Sequence, residues 1–113
     1  MVRVQIKRNQ KGQIFVFNAS GHAEAGEYGS DIVCAAISAV MQTALLGLGE
    51  YLNLKKRLTY QIDEDGWLYC ELPPDLTDEE RVRTDAIIET MVIGLKSIQS
   101  EYPNSIRVEE EVE

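Results

Sequence analysis

One histidine and two cysteines carry all the imidazole and thiol chemistry of this 113-residue chain. Two cysteines make no disulfide framework, and one histidine with two cysteines falls short of the four ligands a structural zinc site takes. No metal and no cofactor is therefore expected, and each cysteine needs its own explanation. Positive charge is also short: 11 Lys and Arg stand against 19 Asp and Glu, for a net charge of -8. Part of the excess sits in the tail "VEEEVE", residues 108–113. Counterion-release binding to nucleic acid needs a basic face, so direct nucleic-acid binding is disfavoured and a basic polypeptide is the better partner. The opening "MVRVQIKRNQ" lacks an apolar core of signal-peptide length, and the longest apolar-rich segment carries many polar residues. A cytoplasmic protein with no membrane segment is the expectation.

What is present has the balance of a folded domain: 44% hydrophobic and 27% charged residues, with no internal repeat and no low-complexity linker. The length suits one domain, residues 1–113, around one core. "VRVQIKR" alternates apolar and polar side chains, "NQKGQ" carries turn chemistry and "IFVFNA" restores the alternation, so residues 2–19 read as a β-hairpin. "SGHAEAGEYGS", spanning residues 20–30, has three glycines and no period, the signature of a mobile loop hinged at Gly21, Gly26 and Gly29.

From residue 32 to 49 the pattern is helical, with Val33, Ala36, Ile37, Val40, Met41, Ala44, Leu45 and Leu48 forming a stripe and Asp31 as N-cap. "RLTYQID", "EDG" and "WLYCEL" predict a second hairpin. A Thr77/Glu80 capping box then opens a helix lined by Val82, Ile88, Met91, Val92, Leu95 and Ile98, which Pro103 ends. "SIRVEEEV" is a final strand of edge character. The order ββαββαβ, with one apolar stripe per helix, implies an α+β two-layer sandwich: a mostly antiparallel sheet with two long helices on one face. Trp67 and Tyr69 fall on the other face, where a second subunit of a homodimer has room to pair.

Chemistry concentrates in "GHAEAGEYGSDIVCAAIS", residues 21–38. Cys34 falls near a helix start, where unpaired N–H groups and the macrodipole favour a thiolate. His22 is the one imidazole able to serve it as general base and acid. Backbone N–H groups at that helix start, including that of Cys34, offer an oxyanion site. Ser38 lies one turn beyond Cys34 on the same face, to support the site or to bond back to the helix. Asp31 serves as cap or as orienter of the imidazole. From these residues alone two readings of Cys34 stay open, a nucleophile and a small packed hydrophobe. Cys70, between Leu68 and Leu72 on one strand face, reads as core.

The block "GHAEAGEYGSDIVCAAIS" resembles the signature of the ribosomal-processing cysteine protease family (Prp, YsxB-like), and "ETMVIGLKSIQSEYPNSIRV", residues 89–108, resembles that family's last helix and strand. The resemblance covers nearly the whole chain. It implies a catalytic dyad of Cys34 and His22, a homodimer, and a substrate. That substrate is the N-terminal extension of large-subunit ribosomal protein twenty-seven, removed after an aromatic pair before the protein joins the ribosome. A noncatalytic peptide-binding module for ribosome assembly is the alternative from a different class, and a redox sensor at Cys34 a third, weakened by the lack of a nearby resolving cysteine.

Overall fold

The computed structural model describes residues 1–21, 30–63 and 67–113, and only the backbone of Ser30 and Asp31. Strands β1 (Val2–Arg8) and β2 (Ile14–Ser20) form the first hairpin, with Val2, Val4 and Ile6 buried at alternate positions of β1. Its turn closes on Asn9, whose Oδ1 accepts from the N–H groups of Lys11 at 2.9 Å and Gln13 at 3.0 Å. An Asx-type turn of this kind needs a left-handed residue to return the chain, and Gly12 supplies it at φ 81.

Helix α1 (Ser30–Leu46) follows and runs into a π-helical turn, Gly47–Tyr51, before Asn53 reverses the chain at φ 58. Strands β3 (Thr59–Ile62) and β4 (Leu68–Glu71) pair antiparallel, helix α2 (Asp78–Glu101) crosses back, and β5 (Ile106–Val112) ends the fold. The sheet order is β3-β4-β2-β1-β5, antiparallel except where β5 runs parallel to β1. This is the expected mostly antiparallel two-layer α+β arrangement in the order ββαββαβ.

Helix α2 begins as its sequence requires. Thr77 Oγ1 accepts from the Glu80 N–H at 3.1 Å while Glu80 Oε1 accepts from the Thr77 N–H at 3.0 Å. A reciprocal box of this kind stabilises a helix start by about 1 kcal/mol. The core forms where the apolar stripes of both helices meet the sheet: Phe17, Ile6, Met41, Leu48, Ile88 and Leu95 are each almost fully buried. Burying such a side chain contributes roughly 1.5–3 kcal/mol.

Three expectations are corrected. Val82 is 70% exposed and Thr84 takes the buried place, because the buried phase of α2 runs through 84, 88, 91, 92 and 95, and residue 82 lies on the opposite side of a 3.6-residue helix. Ala36 and Val40 are half-buried, at the margin of the α1 stripe. By length and composition alone, Ile32–Tyr51, with mean hydropathy 1.9, is apolar enough to cross a membrane, despite its polar residues. In this fold its apolar face is committed to the sheet, with Val33, Ile37, Met41, Ala44, Leu45 and Leu48 buried in the core.

Candidate active site

Cys34 faces a cleft of about 60 Å³ at the end of the sheet where β1 begins and β2 ends. Val2 and Ala19 of the sheet form part of its floor, Ile37 and Met41 of α1 form one wall, and Leu68 of β4 closes it below. Polar groups gather around this apolar base: Ser38 and Gln42 from α1, and Asp63 and Trp67 from the second hairpin. The thiol is half-buried and in no disulfide. Because helical Cα–Cβ bonds tilt toward the N-terminus, the Cys34 side chain leans over the first turn of its own helix, where N–H groups have no carbonyl partner in the helix.

The helix starts at Ser30, two residues earlier than its periodicity suggests. Two expectations change with it. Asp31 stands inside the first turn rather than ahead of it, and the Cys34 N–H falls in the i to i-4 ladder opposite Ser30. The first-turn amides that lack a carbonyl partner in the helix therefore precede Cys34 and do not include its own.

Gly21 lines the same cleft as Cys34. Its φ of 87 is left-handed, and a Cβ placed on it would lie 2.6 Å from the Met1 carbonyl oxygen. Glycine is required here by conformation and by space. Ser38, exposed and one turn beyond Cys34, also lines the cleft, as its spacing predicts. His22, Gly26 and Gly29 lie outside the described residues, as does the side chain of Asp31.

Comparison with known proteins identifies the family. The family profile described as Cysteine protease Prp matches residues 1–107. The ribosomal processing cysteine protease Prp of Bacillus subtilis (strain 168) is 33% identical over 109 residues, 96% of this chain and 96% of the relative. The Staphylococcus aureus (strain Mu50) protein of the same name is 33% identical over 111 residues, 96% of this chain and 97% of its own. The chain belongs to the Prp cysteine protease family.

Solved structures agree in shape. Prp from S. aureus in complex with a substrate peptide superposes with a TM-score of 0.80 at 29% identity, covering 98% of this chain and 100% of that one. The same protease with a covalently linked product peptide gives 0.79 at 30% identity, with coverages of 98% and 100%.

Burial separates the chain's two cysteines. Cys70 is fully enclosed beneath the helices, and burial, with a smaller contribution from the Glu71 charge, pushes its thiol up to about 12. A thiol so placed stays protonated and unreachable, in keeping with a core role. Cys34 opens on the cleft.

Four cleft residues escaped the reading from sequence: Gln42, Ile62, Asp63 and Trp67. Gln42 was one polar residue beside an apolar stripe, and Ile62 and Asp63 join the cleft only through the pairing of β3 with β4. Trp67 stacks on Tyr69 with centroids 6.1 Å apart and planes 15° from parallel, which fits their shared strand face two residues apart.

Proposed function

We propose that this Prp-family protease is a cytoplasmic endopeptidase that removes the N-terminal extension of large-subunit ribosomal protein twenty-seven, with Cys34 as nucleophile and His22 as general base and acid. The observation that carries this reading is the placing of Gly21 and Cys34 on one cleft. His22 directly follows Gly21 in the chain, and that adjacency in sequence supports pairing its imidazole with the thiol. The relatives' names supply the substrate class: they are ribosomal processing proteases.

The chemistry follows from these parts. His22 takes the proton of Cys34, and Sγ adds to the scissile carbonyl carbon, placing negative charge on the carbonyl oxygen against the first-turn amides of α1. The intermediate collapses, the C–N bond breaks, and the leaving amine carries away the proton held by His22. Water, giving its proton to His22, then attacks the thioester and releases the upstream fragment as a carboxylate, regenerating the thiol. Every proton is passed through one imidazole, so no metal or cofactor is needed. The protein as proposed works as a homodimer on a basic precursor, to which a chain of net charge -8 is attractive.

The test is mass spectrometry of a peptide spanning the extension and the mature N-terminus of the host's ribosomal protein twenty-seven, incubated with wild type, Cys34→Ala and His22→Ala. One cut after the aromatic pair, absent with both variants, is the expected result. An intact peptide with folded wild type would favour a noncatalytic peptide-binding role. Cleavage surviving Cys34→Ala would overturn the mechanism.

A further inference from the structure

Among the described residues, the second hairpin leaves its outer strand uncovered, on the side of the cleft. Register pairs Tyr60 with Cys70 and Ile62 with Leu68, so Tyr60 and Ile62 share the helix-facing side of the sheet with two buried residues. Yet they are 41% and 48% exposed, because β3 is the last strand of the sheet. The backbone phase is equally specific. The Asp63 N–H donates to the Trp67 carbonyl at 2.7 Å, which makes that pair a hydrogen-bonded one. Antiparallel ladders alternate, so Tyr60 and Ile62 fall in non-hydrogen-bonded pairs and turn their N–H and C=O groups away from β4, to the free edge.

A second cavity, of about 230 Å³, lies along this edge, lined by Leu45, Leu46, Leu58, Tyr60 and Ile62. It shares Gln42 and Ile62 with the Cys34 cleft, so the two adjoin across these residues and together mark a trough between α1 and β3. Leu46, 58% exposed, stands in its far wall. From Cys34 to Leu46 the helix rises about 18 Å at ~1.5 Å per residue. That is about five residues of extended peptide at ~3.3 Å each.

We propose that β3 is the docking edge for substrate. The segment upstream of the scissile bond adds to it as a further strand, pairing with the backbone of Tyr60 and Ile62, and places one apolar side chain, about five residues before the cut, in the second cavity. This deepens the endopeptidase reading and rests on it. Two observations select the upstream segment. In thiol chemistry the acyl fragment stays bound to Cys34 until water arrives, and the second cavity adjoins the Cys34 cleft through Gln42 and Ile62. Its charges, Glu50 and Lys55, balance one another, so it offers a basic downstream segment no field, whereas its leucines suit an apolar side chain. Strand addition supplies affinity through the backbone, and the cavity supplies selectivity.

The test uses fluorescence anisotropy on full-length Cys34→Ala with labelled junction peptides of the ribosomal precursor, carrying either about six or about two residues upstream of the cut. The longer peptide is expected to bind about tenfold tighter. Adding Leu46→Glu, or Ile62→Asn on the opposite wall should the helix variant fail to fold, is expected to bring it down to the shorter peptide's level. Ile93→Glu, exposed on α2 away from the trough, serves as the control. Equal affinity of the two peptides, or a gain that comes only from lengthening the downstream side, would overturn the proposal. Cleavage by wild type is read separately. A peptide held in the trough but never cut counts against the endopeptidase, and a cut peptide indifferent to upstream length counts against the docking edge.

Discussion

At the hairpin end of the sheet, Arg8 holds both carboxylate oxygens of Glu89 at 2.7 and 2.8 Å and Glu110 at 2.8 Å, with Lys96 on Glu110 at 2.6 Å. At the opposite end Gly21, Cys34, Ile62 and Trp67 surround an open cleft. The first region ties β1, β5 and α2 together with charge-assisted hydrogen bonds, and Arg81 adds another tie by donating to the Ile14 carbonyl at 2.6 Å. The second spends exposed apolar surface and a left-handed glycine on an opening. These ties lie at the end away from the proposed catalytic cleft.

The largest contrast is between the two cysteines. Cys34→Ala is expected to cut peptide cleavage by about a thousandfold or more with stability changed by roughly 0.5 kcal/mol at most. Cys70→Ala should do the reverse, costing about 1–2 kcal/mol in urea denaturation while the folded fraction keeps its turnover. Iodoacetamide on the native protein should label Cys34 and spare Cys70 until unfolding. Labelling of both at similar rates would erase the contrast.

Two left-handed glycines sharpen it next. Gly12→Ala meets open space at the hairpin end and should cost only the conformational penalty of about 1 kcal/mol. Gly21→Ala carries that penalty and also a 2.6 Å clash with the Met1 carbonyl, so about 2–3 kcal/mol and a loss of cleavage are expected together. Thermal unfolding and kcat/KM of both variants check this.

The ion-pair end makes a pH prediction. The Arg8 hydrogen bond holds the Glu89 carboxyl below its ordinary range, and Lys96, then Arg8, do the same for Glu110. A carboxyl depressed by folding stabilises the protein above its unfolded pKa of roughly 4.3 and loses that contribution as pH falls through the lower folded value. Arg8→Ala should therefore cost about 1–2 kcal/mol at pH 7, allowing for partial solvent exposure, and progressively less below about pH 4. Urea midpoints of both proteins across pH 3–7 read this directly. A cost independent of pH would mean that Arg8 contributes by packing alone.

The smallest effect tests the same helix. Thr84 is fully buried and its hydroxyl has no hydrogen-bond partner among the described residues. Thr84→Val keeps the shape and removes the polar atom, so a gain of about 0.5–1 kcal/mol is expected in the same denaturation assay.

Local signals carried most of the fold. Alternation in β1 and β2, the Thr77/Glu80 box and the Pro103 stop are each written in a few adjacent residues, and each appears where it should. Val82 misled because one apolar residue near a helix start does not fix the phase of a stripe, and the buried Thr84 that does is polar. The site divides in the same way. Cys34 and Ser38 share a helix face that periodicity alone predicts. The contributions of Ile62 and Asp63 depend on β3 lying at the sheet edge, and strand order is a nonlocal fact that no short window of sequence contains.

The central claim is that the Cys34 thiol becomes covalently acylated during cleavage. Wild-type protein mixed with the junction peptide, quenched in acid within its first turnovers and examined by intact-protein and fragment mass spectrometry, tests it most directly. The expected result is a mass increase equal to the upstream fragment less water, mapped to Cys34 and missing from Cys34→Ala. Cleavage that proceeds with no such adduct, or with an adduct mapped to another residue, would contradict it.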